Sequence, residues 1–337
     1  MTYIVGFLID KFCYKVYNLI GSVYMKKCAF IYNPESGKTN SKKDIDKIVE
    51  LLEINGYNIL LCPTEYKGHA IKIVEELEDV DLLISCGGDG TLNEVVTGNL
   101  HRKEKLLLGH LPTGTTNDVG AMYGYTKNLV TNLQLLLKGA VKNIDVCMID
   151  DKPFVYVACI GNYVDVAYNT PRDLKKKFGR FGYIINAINE FKSDIKKYKL
   201  TYEIDGKVYS GEYSFVFISN TSRIGGFNNI YDDVKLDDDM FEVVLVSVFN
   251  KAQLAMTMTS VLTSDINKVK GVTYFKTNKF SISFDEVPTE SWCVDGEELK
   301  HNNKKFDFTI NKEINMLVPR KNIVKLFKNI EEVDQLK

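Results

Sequence analysis

The chain has 337 residues, 45% of them hydrophobic and 26% charged, and its formal net charge is −1. That length exceeds one typical core and fits two domains. The balanced charge and ordinary globular composition exclude a disordered chain and give no mark of a nucleic-acid binder.

Residues 1–24 are apolar and aromatic but are broken by Asp10, Lys11 and Lys15. The uninterrupted stretch from Ile4 to Ile9 is far short of the roughly 20 residues that span a bilayer. No small-residue cleavage site follows, so a signal peptide is not expected. Two readings stand: Met25 is the true start and 1–25 an extension, or the segment is a short amphipathic anchor on a membrane surface.

From Met25 the front half alternates strand and helix. Cys28 to Tyr32 predicts a strand, and Ile45, Ile48, Val49 and Leu52 repeat at helical spacing. Tyr57 to Cys62 is the next strand, closed by Pro63-Thr64, and His69 to Leu77 a short helix. Val80 to Cys86 and Leu106 to Leu111 are continuous apolar runs, as in a parallel sheet buried on both faces. This rhythm predicts an open α/β domain. After about Asp145 the texture changes. Phe154–Ile160, Lys199–Ile204, Tyr213–Ser219, Phe241–Val248, Val272–Phe275 and Phe280–Phe284 read as strands between Asp-Gly, Gly-Gly and Asn-Asn turns. Helices are expected at Leu174–Lys197 and Ala252–Leu262, inside a mostly antiparallel β domain. Seven dispersed cysteines (Cys13, Cys28, Cys62, Cys86, Cys147, Cys159, Cys293) without a Cys-x-x-Cys pair read as reduced, buried thiols of a cytoplasmic protein. The four histidines lack metal-ligand spacing.

Three loops carry the chemistry. Gly87-Gly88-Asp89-Gly90-Thr91-Leu92-Asn93-Glu94 sits where a buried strand ends and a helix begins. Glycines there let the backbone approach a polyphosphate, and the helix presents free N–H groups to the anion. The spacing is not that of a dinucleotide fingerprint. Alone it could be only a tight turn, but the carboxyl end of a strand is where open α/β sheets bind ligands. Asn33-Pro34-Glu35-Ser36-Gly37-Lys38-Thr39 follows the first strand and lacks the first glycine of a P-loop. Leu111-Pro112-Thr113-Gly114-Thr115-Thr116-Asn117-Asp118 follows another strand, with hydroxyls and N–H groups suited to phosphate oxygens. Three such loops at successive strand ends would converge on one crevice.

In that order, N-P-x-S-G-K, G-G-D-G-T-L-N-E-V and P-x-G-T-T-N-D resemble the catalytic domain of the diacylglycerol kinase and sphingosine kinase family. The rest resembles its bacterial lipid kinases, through Gly161 to Pro171, Ser219-Asn220, Gly225-Gly226, Lys235-Leu236-Asp237-Asp238 and Val294-Asp295-Gly296-Glu297. The resemblance covers roughly Lys26 to Leu326. It implies a Rossmann-like ATP domain at 26–146, then a β-sandwich lipid-binding domain at 147–326 whose last strand can return to the first domain, and a tail at 327–337.

The resemblance also implies roles. Asn33, Ser36, Gly37, Thr64, Gly87, Gly88, Asp89, Gly90, Thr91 and Thr115 would line the ATP site. Pro34, Lys38, Gly114, Thr116 and Asn117 complete the same loops. Asp89 would hold the catalytic Mg²⁺, and Lys235, Asp238 and Met240 a second, structural Mg²⁺. Glu297 matches the proton acceptor, with Asp295 beside it; Lys38, Asp118 and Asp145 match an ion-pair network. Two departures stand out. Asp239 replaces a usual glycine, although Asp tolerates left-handed backbone. After Asp118 the run is Val119-Gly120-Ala121, lacking the family's arginine, which predicts altered pairing and weaker domain coupling.

The implied activity is transfer of the γ-phosphate of ATP to a lipid hydroxyl, first of all diacylglycerol, by a cytoplasmic protein at the inner face of the membrane. A homodimer would be compatible. NAD kinase shares Gly-Gly-Asp-Gly-Thr, but Leu92-Asn93-Glu94-Val95 and the two other loops speak against it. An inactive lipid- or nucleotide-binding module would be expected to lose Asp89, Asp295 or Glu297, and all three are present. Arg172 to Tyr183 mixes five basic residues with Leu174, Phe178, Phe181 and Tyr183. It reads equally as a membrane contact or as a helix packed on the β domain.

Overall fold

The computed structural model describes residues 25–34, 42–161, 195–204, 206–224, 227–228, 231 and 233–330. Ser36, Gly37, Lys38, Gly225-Gly226 and the basic-aromatic stretch 172–183 lie outside the described residues. So does the expected helix 174–197, except for 195–197, which are not helical.

The front half follows the apolar rhythm. β1 (Lys26–Tyr32) precedes α1 (Lys42–Ile54), β2 (Tyr57–Pro63) precedes α2 (His69–Glu76), and β3 (Leu82–Gly87) precedes α3 (Asp89–His101). Then β4 (Leu108–Pro112) leads to α4 (Asp118–Met122) and α5 (Leu129–Leu137). The strands pair in parallel, in the order β2-β1-β3-β4. Because side chains alternate across a strand, Cys28 and Phe30 join Ile48, Leu52 and Leu133 on one face. Ala29 and Ile31 join Val74, Leu92 and Val95 on the other.

The back half comprises β5 (Ala140–Ile149), β6 (Lys152–Phe154), β7 (Val157–Gly161), β8 (Tyr198–Ile204), β9 (Lys207–Tyr213) and β10 (Phe215–Ser219). A short pair, β11 (Arg223–Ile224) and β12 (Phe227–Asn228), precedes β13 (Phe241–Val246) and α6 (Lys251–Thr263). The chain ends in β14 (Val272–Thr277), β15 (Phe280–Phe284), β16 (Trp292–Val294), β17 (Glu297–Leu299), β18 (Lys305–Val318) and α7 (Ile323–Leu326). An antiparallel sheet runs β14-β13-β10-β7-β16-β17. Its inner face packs on β8, β15 and β18 through Trp292, Phe241, Phe280, Phe306 and Phe308. Trp292 meets the Phe306 and Phe308 rings edge-on at 5.3 and 5.4 Å. The expected fold class, an α/β domain plus an antiparallel β-sandwich domain, is the one observed.

One strand joins the halves. β18 runs antiparallel to β15 at its start (Phe280↔Phe308) and parallel to β4 at its end (Met316↔Leu108). A single ten-stranded sheet therefore passes through both halves. Two runs read as single strands are broken. Phe154–Ile160 splits into β6 and β7 because the amides of Val155, Tyr156 and Val157 donate to the Asp295 carboxylate. Tyr213–Ser219 splits at Ser214, whose amide and hydroxyl both donate to the Val246 carbonyl. Among the described residues no helix is long and apolar enough to cross a membrane.

His110 on β4 is fully buried, and burial pushes its imidazole down to about 4. The unfolded chain takes up that proton from about pH 6.5, where the folded chain still refuses it. Stability is therefore complete above about pH 6.5 and falls as pH drops toward about 4, by on the order of 3 kcal/mol. His110→Met should flatten this part of the acid limb in urea unfolding measured across that range. An unchanged limb would show that His110 does not carry it.

Candidate active site

The parallel strands place the three glycine-type loops, and the segment after β2, along one edge of the sheet. Asn33 and Pro34 follow β1, Thr64 follows β2, Gly88 follows β3, and Thr113 follows β4. Backbone bonds tie these ends together: Asn33 N to the Cys86 carbonyl (3.4 Å), Thr64 N to Tyr32 (2.9 Å) and Thr113 N to Gly87 (2.8 Å). The second and third loops touch. A Cβ on Gly114 would lie 2.5 Å from the Gly88 Cα and 2.9 Å from Asn117 Oδ1. Asn117 adopts a left-handed conformation (φ 51°) and donates its side-chain amide to the Gly114 carbonyl at 2.8 Å. Thr115 is exposed and Thr116 half-buried beside them. Gly88 caps α3 from outside, so the first-turn amides of α3, from Asp89, Gly90 and Thr91, face this edge.

Asp89 points away from solvent. Its carboxylate accepts from Asp118 N (3.0 Å) and Val119 N (3.3 Å), holding the first turn of α4. Burial, and then the neighbouring Asp118, lift the carboxyl to about 7. Asp118 is fully buried, and its Oδ1 accepts from Arg223 Nε at 2.9 Å. Arg223 opens the short strand β11 that follows β10, in the other half of the molecule. The arginine missing after Asp118 is thus supplied from 105 residues away. A buried ion pair crosses between the halves at this place.

The β16–β17 turn faces these loops. Asp295 (φ 49°) and Gly296 (φ 87°) form a two-residue turn whose twist suits a tight hairpin. Asp295 is buried and fully engaged. Its Oδ1 accepts from Tyr156 N and Val157 N (3.0 and 3.1 Å), and its Oδ2 from Val155 N and Asn93 Nδ2 (2.7 and 2.8 Å). Burial raises its carboxyl to about 6, and the amide donors oppose this. Glu297 is exposed, with Oε2 2.6 Å from Lys67 Nζ. A Cβ on Gly90 would come within 3.4 Å of Glu297 Oε1, so this carboxylate stands over the start of α3.

Several contributors had no role assigned from sequence. Asn93 also donates to the Pro153 carbonyl, and Glu94 accepts from Gly68 N and Ala70 N at the start of α2. Both lie inside the glycine motif, so their position was visible and their partners were not. Lys67 follows β2 at the same sheet edge as the other loops, which could have flagged it. Arg223 left no local signal.

The second expected cation site is a loop. Asp145 Oδ2 accepts from Asp239 N at 2.7 Å, and Asp238 Oδ1 from Met240 N at 3.2 Å. Asp239 is left-handed (φ 67°), as a glycine-like position requires. Lys235 Nζ donates to the Val324 and Lys325 carbonyls (3.3 and 2.9 Å). Burial raises Asp145 to about 6, and its Oδ1 is buried without a hydrogen-bond partner. Among the described residues no three His, Cys, Asp or Glu side chains converge as a metal cage. The donors still fit Mg²⁺, which binds one or two carboxylates and completes its shell from phosphates and water. Asp89 provides such a carboxylate at the glycine loops, and Asp145 with Asp238 provides another pair.

Phosphate-type loops on an α/β sheet, faced by a carboxylate turn from a β-sandwich, define a two-domain phosphotransferase. The sequence model of the diacylglycerol kinase catalytic domain matches residues 27–149. The model described as a YegS C-terminal NAD kinase beta sandwich-like domain matches residues 159–312. The diacylglycerol kinase of Staphylococcus aureus strain bovine RF122 / ET3-1 is 34% identical over 274 residues, covering 81% of this chain and 86% of that protein. The one from strain MRSA252 is 34% identical over 275 residues, with the same coverage. A crystal structure of a diacylglycerol kinase from Bacillus anthracis strain Sterne is 25% identical with a TM-score of 0.71, covering 87% of this chain and 97% of that one. A further structure from the same organism, 24% identical with a TM-score of 0.73 over 88% and 96% of the two chains, shares the fold. This chain belongs to the diacylglycerol kinase family and is a lipid kinase.

Two variants probe the geometry. Gly114→Ala should cost about 1–3 kcal/mol, because its Cβ meets backbone that cannot rotate away. Arg223→Met should cost about 3–5 kcal/mol by removing the cation paired with the buried Asp118 carboxylate. Urea unfolding measures both. Values within experimental error of the parent would contradict the loop contact and the ion pair, respectively.

Proposed function

We propose that this kinase uses Mg·ATP and phosphorylates diacylglycerol at the inner face of the cell membrane, giving phosphatidic acid. The observation that carries the reading is Glu297, standing over Gly90 where α3 begins. A phosphate held by the first amides of α3 and the two touching glycine loops would lie between those loops and this carboxylate. Asn33, Thr64, Gly87, Gly88, Thr91 and Thr115 would surround the nucleotide, with Ser36, Gly37 and Lys38 from the first loop. Bound Mg²⁺ would neutralise phosphate charge next to Asp89.

In this reading Glu297 accepts the proton of the lipid hydroxyl. The lipid oxygen forms the new bond to the γ-phosphorus, and the bond to the bridging oxygen breaks, leaving ADP. Lys67 holds the Glu297 carboxylate in place. Asp295, with every oxygen engaged by amides, fixes the turn that aims Glu297 and is itself a positioning residue. Diacylglycerol is the first acceptor to test because the S. aureus relatives are named for it.

The test is transfer of labelled γ-phosphate from Mg·ATP to a panel of lipids in mixed micelles, with NAD as a parallel acceptor. Label is expected in phosphatidic acid. Label in another lipid would change the acceptor, and label in NADP alone would overturn the reading. Asp89→Ala and Glu297→Ala should each lower turnover by at least about 10²-fold while melting cooperatively. Full activity in the Glu297 variant would remove it as the base.

A further inference from the structure

A cavity of about 260 Å³ lies at the C-terminal end of α4. It forms where the α/β half, the loop after β10 and the segment after β18 meet. Its polar lining is Ser222, Arg223, Asn322 and Lys325, with Ala121 and Met122 on the α4 side. Among the described residues the lining carries two cations and no carboxylate. A hydroxyl and an amide add neutral donors. Lys325 is exposed, so the cavity can be reached from solvent. None of the described lining residues belongs to the glycine loops.

The chemistry of this lining selects its ligand class. A guanidinium fork and an ammonium point charge are the two cationic side chains that hold phosphate oxygens. We propose that the cavity is a second anion site, which binds a phosphomonoester through Arg223 and Lys325 and is coupled to the nucleotide loops. The coupling runs through contacts already in place. Arg223 Nε donates to Asp118 Oδ1 at 2.9 Å, and the Asp118 amide donates to Asp89 Oδ2 at 3.0 Å. An anion in the cavity competes with Asp118 for the charge of Arg223. It thereby acts on the turn of α4 that Asp89 holds. The regulatory half of this inference rests on the kinase reading, under which a lipid phosphomonoester is the product class. The binding half does not.

The test is calorimetric titration of the full chain with its nucleotide site saturated by a non-hydrolysable ATP analogue. Inorganic phosphate, dihexanoyl phosphatidic acid and neutral dihexanoylglycerol are the probes. The two phosphate ligands should bind at one site that the neutral lipid does not occupy. Lys325→Gln should weaken that binding by about tenfold, the loss of one charge-assisted contact. Ser222→Glu should abolish it by placing a carboxylate in the cavity. Lys325→Gln should keep basal phosphate transfer. Tighter binding of phosphatidic acid than of inorganic phosphate identifies a lipid headgroup as the source; equal binding identifies free phosphate. No binding with the nucleotide site filled overturns the proposal. So does binding to Lys325→Gln indistinguishable from the parent, and this exposed substitution keeps the test decisive if Ser222→Glu fails to fold. A failed kinase reading shows separately, in the labelled-phosphate assay.

Discussion

The Asp295 carboxylate organises the rest of the site. Three consecutive amides and the Asn93 side chain converge on its two oxygens. A carboxylate removed from water needs such donors to remain acceptable in the interior. The donors come from both halves: Asn93 from α3 behind the glycine loop, and the Val155–Val157 amides from the break between β6 and β7. Those amides leave the strand ladder to serve Asp295, so the bend at the domain junction and the placement of the hairpin have one cause. The turn then divides two tasks between neighbouring acids. Asp295 goes inward and fixes position. Glu297, across Gly296, goes outward and stays accessible.

A second constraint is electrostatic. Asp89, Asp118, Asp145, Glu242 and Asp295 are all buried carboxylates. Burial pushes Glu242 up to about 8 even with Lys276 at 3.4 Å, and Asp89 up to about 7. So many desolvated acids oppose folding, and nearby donors and cations offset part of the cost. Compensation is partial and local: Arg223 on Asp118, Lys276 on Glu242, and backbone amides on Asp89 and Asp295.

What could be read from the sequence was local. The glycine loops were legible because a tight turn before a helix, after an apolar run, leaves a short contiguous signature, and the touching of Gly88 and Gly114 follows from two such turns on adjacent strands. The parallel strands were legible because burial on both faces makes them continuously apolar. β18 was not, because its fourteen residues Lys305–Val318 serve two environments. Lys305, Asp307, Lys312 and Glu313 interrupt the apolar pattern, and the register shifts between Asn311 and Ile314 as the strand passes from the sandwich to the α/β sheet. Nor could the split at Val155 be foreseen, since it depends on an acid 140 residues away. The arginine for Asp118 shows the same limit. Absence of a residue from a local pattern says nothing about what another part of the fold brings to that place.

Among the described residues the two halves are coupled by different means: a covalent strand, β18, that belongs to both sheets; a hydrogen-bonded carboxylate, Asp295; a buried ion pair, Asp118–Arg223; and an exposed ion pair, Lys67–Glu297. They differ in what they can do. The strand cannot yield without breaking a ten-stranded sheet. The Asp295 cluster is saturated with donors and has no alternative partner to exchange into. The Asp118–Arg223 pair can respond, because Arg223 also lines a cavity and a guanidinium can share its charge with a second anion. Rigid connections thus set the distance between the loops and Glu297, and the Asp118–Arg223 pair sits beside Asp89. Any ligand that alters this enzyme without entering its crevice would act most economically at that pair.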